Sequence, residues 1–479
     1  MRQPHDAGWP GAATQVLAFV PRLVPPLAAV MVAIWCWAAL PWNYSGDDAE
    51  PEVLNIAWRF ARGEPIYRGT DTPPYAFAVY PPVYYATVGW MLKHTGLSFT
   101  PARLMSLGAS IATALAVLRL HREWNGRTAG VWPAFFLALV PATFFNIARC
   151  HPEMLALAFA SWSLVGLLRN RPFATLVMSP ILNAAAFYTK QTYVALPIAA
   201  CIYFALHNRR WVWTYVAVSF LTLGVPFLIL QWGTHGQFAL DTVVLAQLPY
   251  RLSQIVHEIY SELGPVVFLL ALVLVQLSVR VRQRAWELLD VYTVVLFVLT
   301  LSLLGRAGAS SQYVVALVVL SLLYAIRHKE LPSPKACCWV IQVQLVFLLL
   351  YTPWHFLARH AAAALRERRS VAEIYRVLAR SHGPVLSQQG SFALFSRGYI
   401  AIQLFHFSNL TRMGKWNPEP LLKDVDEREY GYVITKFPLE GELTSASGGR
   451  FTPELVAALR RSYEHAQSFE GYYLYRPRY

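Results

Sequence analysis

The sequence predicts an all-α polytopic membrane bundle of about eleven transmembrane helices, followed by a small extracytoplasmic α/β domain at its C-terminal end. Three observations predict it. Of 479 residues, 56% are apolar and only 14% charged, about half the charged share of a soluble domain. Apolar stretches long enough to cross a bilayer recur at 23–40, 100–120, 129–147, 152–168, 173–189, 192–206, 211–231, 263–279, 286–304, 311–326 and 336–357. Basic clusters fall in every second connection between them.

Residues 1–22 carry Arg2, His5 and Arg22 and read as a cytoplasmic N-terminus before an uncleaved signal anchor. The basic turns are Arg119 to Arg127, Arg169 to Arg171, Arg209-Arg210, Arg280 to Arg284 and Arg327 to Lys329. Placing them in the cytoplasm puts the N-terminus inside and everything after 357 outside. Residues 23–359 then form the transmembrane unit, and its outer connections are 42–99, the turns near 148–151 and 190–191, 232–262 and 305–310. The tail 360–479 has globular composition, with strands expected at 384–387, 432–435 and 472–475 and helices near 361–380 and 453–466. The formal charge of +14 does not point to nucleic acid, because the cations are dispersed along one membrane face. Five cysteines without a CxxC pair indicate neither a disulfide framework nor a zinc site.

The first outer loop, 42–99, holds six acids. From Pro51 to Ala61, Val53, Leu54, Ala57, Trp58 and Ala61 share one side, with Arg59 and Arg62 off the stripe, as in a helix lying on the membrane surface. The stretch from Tyr80 to Leu92 reads as a second surface-lying or re-entrant helix, since a crossing there would invert every later basic turn. Asp47 and Asp48 stand where the first membrane helix meets this loop, at headgroup level, a suitable place for a general base. Asp48 is also placed to cap the helix that follows. The turn Arg149-Cys150-His151-Pro152-Glu153 faces the same side; Pro followed by Glu is equally an ordinary helix start. Lys190 ends another crossing there, either snorkelling to a headgroup or holding a phosphate, with Arg59, Arg62, Arg103 and Arg149 as competing cations.

The pattern resembles the GT-C superfamily of membrane glycosyltransferases, and within it the branch of the protein O-mannosyltransferases and the lipid A aminoarabinose transferase. The resemblance is carried by Gly46-Asp47-Asp48, Gly63-Glu64-Pro65-Ile66-Tyr67, Tyr80-Pro81-Pro82-Val83-Tyr84-Tyr85, Ala102-Arg103-Leu104, His151-Pro152-Glu153-Met154-Leu155-Ala156 and Thr189-Lys190-Gln191. It covers about residues 20–230, and rests on their order and sidedness rather than on any one motif. It implies a polyprenyl-phosphate sugar donor, inversion at the anomeric carbon and a first-loop acid as base. Asp47 matches the first acid of the family's Asp-Glu pair and Asp48 replaces the second; Glu153 stands where the family commonly has Asp. The aminoarabinose branch has Lys before the Pro-Pro pair where this chain has Tyr80, which leaves Lys190 or an arginine to meet the phosphate.

The expectation is therefore an integral glycosyltransferase of the cytoplasmic (inner) membrane, acting on the extracytoplasmic face. Asp47, Asp48 and Glu153 are its catalytic candidates; Lys190, Arg149, Arg62, Arg59 and Arg103 its phosphate-binding candidates; Tyr80, Tyr84, Tyr85 and His151 its positioning candidates. A divalent cation at Asp47, Asp48, His151 and Glu153 stays open, as does the acceptor: lipid, polysaccharide or protein. The rival is a multi-pass transporter or flippase, against which stand acids clustered at one mouth of the bundle and the absence of an internal repeat.

Overall fold

The computed structural model describes residues 11–169, 171–356, 362–441 and 449–479. The expected N-terminal segment therefore lies outside the described residues as far as residue 10, and so does the expected boundary at 359–360.

Five helices are long and apolar enough to cross a membrane: Phe19–Ala39, Thr100–Asn125, Arg209–Gly233, Leu252–Gln283 and Pro334–Phe356. Shorter apolar helices run Glu153–Leu168, Ala174–Thr189, Ala195–His207, Leu288–Leu304 and Val315–Arg327. Thr100–Asn125 packs on Glu153–Leu168, which packs in turn on Ser179–Thr189. Their shared faces form one large core that includes Val117, Leu157 and Leu164. Outward faces stay apolar: Trp213, Leu228, Trp232 and Leu252 are each more than half exposed, as lipid-facing side chains are.

Two expected elements differ. The stretch 129–147 is not a continuous helix but three short turns, Trp132–Phe136, Leu137–Leu139 and Pro141–Phe144. Pro133 and Pro141 donate no N–H, and Val140 between the last two is extended (φ −88°, ψ 121°). The loop expected at 232–262 is shorter, because helix resumes at Leu252; Val256 and Tyr260 continue its exposed apolar face, which His257, Glu258 and Glu262 disguise in the sequence.

The first loop forms two helices, Ala49–Ala61 and Pro82–Thr95. They approach so closely that a Cβ on Gly89 would lie 2.6 Å from the Ala57 carbonyl oxygen. In Ala49–Ala61, expected to lie on the membrane surface, nine residues, Glu50 to Ala57 and Arg59, are buried within the protein. What covers it is the C-terminal domain, whose helix Gly390–Arg397 packs on it.

That domain is a four-stranded sheet of order β1-β2-β4-β3, with β1 Val385–Ser387, β2 Tyr432–Thr435, β3 Tyr463–Phe469 and β4 Tyr472–Pro477. β1 and β2 are parallel and the other pairs antiparallel. Strand β3 is one more than expected: the helix Pro453–Ser462 ends early and the chain turns back to pair Tyr463 with Pro477. The first loop is stitched into this domain. Tyr75 N–H donates to Ala401 O (2.8 Å), Gln403 N–H to Tyr75 O (3.0 Å), and Tyr75 and Phe77 enter the domain's apolar core beside Phe407.

Candidate active site

The first loop, the inter-helical turns and the C-terminal domain meet at one end of the bundle around a cavity of about 450 Å³. The first loop contributes Asp47, Asp48, Glu52 and Tyr80, and the turn after Thr189 contributes Lys190 and Gln191. The turn after Leu304 adds Arg306 to Ser310 and Tyr313; the C-terminal domain adds Phe405, His406 and Arg450. Positions more than 400 residues apart in the chain thus share one chamber.

Each of its acids has a basic side chain beside it. Asp47 pairs with Arg149 and Asp48 with Arg450. Glu52 Oε2 lies 3.2 Å from His406 Nδ1. Glu153 pairs with Lys190 and accepts from the Tyr193 hydroxyl; Glu153 and Tyr193 line a separate pocket that shares Thr192, Gln312 and Tyr313 with the cavity. Burial raises Asp48 from 3.8 to about 6, against the pull of Arg450 and with a further push from Glu52 and Asp47. Burial likewise lowers the Lys190 ammonium, and Glu153 opposes that shift. His151, buried and beside Lys190 and Arg149, is held well below the ordinary imidazole range, so it is neutral; its Nε2 lies 2.8 Å from the Tyr80 hydroxyl oxygen.

Several expected site residues lie elsewhere. Arg103 donates to both oxygens of Glu50 (3.2 and 3.0 Å) and to the Trp42 carbonyl (2.7 Å), so its fork is spent tying the first membrane helix to the loop. Arg59, 1% exposed, donates to the carbonyls of Pro65, Ile66 and Ala76. Arg62 is on the surface, paired with Glu64 at 2.8 Å. None of these three lines the cavity, and neither does Arg149, which reaches it only through Asp47. Tyr84 and Tyr85 are core residues; Tyr85 accepts the Tyr80 N–H at 3.3 Å and so fixes Tyr80. Glu153, expected to meet the acceptor or a cation, is 1% exposed and pairs with Lys190.

Sequence reasoning missed Arg306, Arg450, His406 and Glu52. Arg306 carries a readable signal, a lone cation in the turn 305–310, which the charge pattern otherwise leaves without basic residues. Among the described residues its guanidinium makes no ion pair, unlike Arg149 and Arg450. Nor do the described residues gather three or more His, Cys, Asp or Glu side chains around a potential metal position. Asp47 and Asp48 are each paired with an arginine rather than with each other.

No family model matches the chain, and no curated protein matches it in sequence. Solved structures do. ArnT from Cupriavidus metallidurans, the lipid A aminoarabinose transferase, superposes in its undecaprenyl phosphate-bound form with a TM-score of 0.60 at 13% identity, over 95% of this chain and 97% of that one. The Archaeoglobus fulgidus oligosaccharyltransferase, tethered to an acceptor peptide, superposes with a TM-score of 0.50 at 13% identity, over 96% of this chain and 74% of that one. This chain shares the overall fold of these two proteins. The chamber lies where the first loop, the later turns and the C-terminal domain converge, and the expected helical bundle, with five apolar spans among the described residues, and the small C-terminal sheet are present.

Proposed function

We propose that this chain is an integral-membrane glycosyltransferase that moves one sugar from a polyprenyl-phosphate donor to an acceptor hydroxyl on the extracytoplasmic face, with inversion. The observation that carries this is the single cavity holding a partly exposed acid, Asp47, together with Lys190 and the unpaired Arg306. A transferase of this kind needs an acid to take a proton and cations to receive a departing phosphate. A transporter needs neither in that arrangement. The positive-inside pattern supports placing the cavity outside the inner membrane.

In this mechanism the acceptor O–H bond breaks and its proton passes to Asp47. The oxygen forms a bond to the anomeric carbon as the carbon–oxygen bond to phosphate breaks, and that electron pair stays on the phosphate, which gains a second negative charge. Lys190 and Arg306 meet this charge. Once Asp47 is protonated, Arg149 loses its counter-charge and adds to the field on the leaving group, so charge within the chamber is conserved through the step. Glu153 and Tyr193 position Lys190; Tyr85 and His151 position Tyr80. Asp48 remains a second acid on Arg450 rather than the base, because its free oxygen, Oδ1, is sealed from the chamber.

The test is release of polyprenyl phosphate from labelled polyprenyl-phosphate sugars in membranes that supply the native acceptor. The wild type releases it, and Asp47→Asn lowers turnover by about 10²–10⁴-fold, the ordinary weight of a general base. Uptake of solute with no sugar transfer would instead establish a transporter.

A further inference from the structure

Arg306 differs from the other cations of the chamber in how it is held. Lys190 is fixed by Glu153 and Arg450 by Asp48, whereas Arg306 has no acid partner among the described residues. A guanidinium without an ion pair is placed by the backbone that carries it. That backbone is the turn Gly305-Arg306-Ala307-Gly308-Ala309-Ser310, in which Arg306 has the only large side chain. Such a turn has almost no side chains of its own to pack, so its position is set by what presses on it from outside.

Two elements press on it. The first is the segment Pro249-Tyr250-Arg251. Arg251 N–H donates to Gly305 O (2.7 Å) and Ala307 N–H to Pro249 O (2.8 Å), which brackets Arg306 in a short antiparallel bridge with Tyr250. The Tyr250 ring lies on Gly305. That residue has φ −76°, open to any side chain, yet a Cβ there would overlap the ring. The second element is the C-terminal domain. Phe405, in the first turn of the helix Leu404–Arg412, reaches across to Gly308, where a Cβ would lie 2.9 Å from the ring. Gly308 is also at φ +76°, where glycine is favoured. The turn is therefore gripped at a glycine on either side of Arg306, by one ring from the bundle and one from the C-terminal domain.

The helix that carries Phe405 is anchored to the acid side of the chamber as well. His406 Nδ1 lies 3.2 Å from Glu52 Oε2, and the Gln403 side chain bonds both the N–H and the carbonyl of Phe77 (3.2 Å each). Arg450 of the same domain pairs with Asp48, next to Asp47. One domain thus touches both the loop that bears the proposed base and the turn that bears the unpaired cation.

We propose that the C-terminal domain is part of the donor-phosphate site: Phe405, with Tyr250 opposite, is a positioning residue that holds Arg306 at the phosphate and at a set distance from Asp47. The proposal rests on the transfer reaction above and names what fixes its phosphate geometry. If Phe405 served only as a contact for the ligand, its loss would weaken binding whether or not Arg306 were present.

The full-length protein in detergent is titrated with polyprenyl phosphate at fixed ionic strength, as wild type, Phe405→Ala, Arg306→Ala and the double variant. Phe405→Ala is expected to weaken binding about tenfold alone and less than about twofold once Arg306 is Ala, because a residue acting through another adds nothing when that other is gone. Tyr250→Ala follows the same pattern, and Tyr250→Phe, which keeps the ring, recovers the affinity that Tyr250→Ala loses. Where Phe405→Ala fails to fold, Phe405→Leu replaces it in the cycle, since it keeps apolar bulk but withdraws the ring from Gly308. An equal loss in both backgrounds overturns the proposal, as does unchanged affinity in a folded Phe405→Ala or Phe405→Leu. Unchanged affinity in Arg306→Ala removes Arg306 from the phosphate and overturns the proposal with it. The titration reads binding without turnover. Absence of polyprenyl phosphate release from any donor, with the coupling to Arg306 intact, overturns the transfer reaction and leaves the phosphate site standing.

Discussion

Lys190 is where stability and chemistry can be separated most cleanly. Its side chain and that of Glu153 are 1% and 2% exposed, and they are each other's ion partner. Replacing Lys190 with Met leaves a buried carboxylate with only the Tyr193 hydroxyl to answer it, a loss of about 3–5 kcal/mol for an uncompensated buried charge. Lys190→Met is therefore expected to melt well below the wild type in detergent. Adding Glu153→Leu removes the stranded charge, and replacement of a whole buried pair by apolar groups is often neutral or better. The double variant should melt close to the wild type. It should nevertheless turn over donor about 10²–10³-fold more slowly, since the cation facing the phosphate is gone. The assay is thermal unfolding in parallel with polyprenyl phosphate release. A double variant that is stable and also fully active would refute the role of Lys190 at the leaving group and leave the pair as a structural tie.

Other expectations follow from the same geometry. Arg306→Ala, at an unpaired and partly exposed position, should fold normally and weaken binding of polyprenyl phosphate by at least tenfold, measured by titration at fixed ionic strength; unchanged affinity would remove Arg306 from the phosphate site. Arg103→Ala should act as a folding variant, costing about 3–5 kcal/mol by stranding Glu50, and donor affinity in whatever folded protein survives should be unchanged. Asp48 rises from 3.8 to about 6 on folding, so its proton favours the folded state. That stabilisation is full below about pH 4 and is lost as pH rises through 6, about 3 kcal/mol for the two-unit shift. Asp48→Asn should accordingly out-melt the wild type at pH 7.5, with the gap closing as pH falls toward 4; parallel melting curves at every pH would contradict this.

The membrane helices were legible because a bilayer imposes a length and a polarity that composition records directly. Leu288–Leu304 and Val315–Arg327 follow from apolar runs bounded by basic turns. The path through 129–147 was not legible as a broken one, because hydropathy averages over Pro133 and Pro141 while the hydrogen-bond ladder does not. At the site, the first-loop acids and Lys190 were visible through their position at helix ends on one side. Arginines were not sorted. A guanidinium that faces phosphate and one that faces three carbonyls, as Arg59 does, look identical until the backbone is placed. His406 and Arg450 were invisible for a different reason: their neighbours in space, Glu52 and Asp48, lie more than 350 residues away in the chain, and only the docking of the tail on the first loop joins them.

The central claim is that a lipid carrier's phosphate enters this one chamber beside Asp47. Photo-crosslinking of a diazirine-bearing polyprenyl phosphate to the full-length protein, mapped by peptide mass spectrometry, tests it most directly. Labels are expected on the turns around Lys190 and around Arg306 to Tyr313, and Asp47→Asn should keep them while losing turnover. Labels confined to the opposite end of the bundle, around Arg122 to Arg127 or Arg280 to Glu287, would contradict the account.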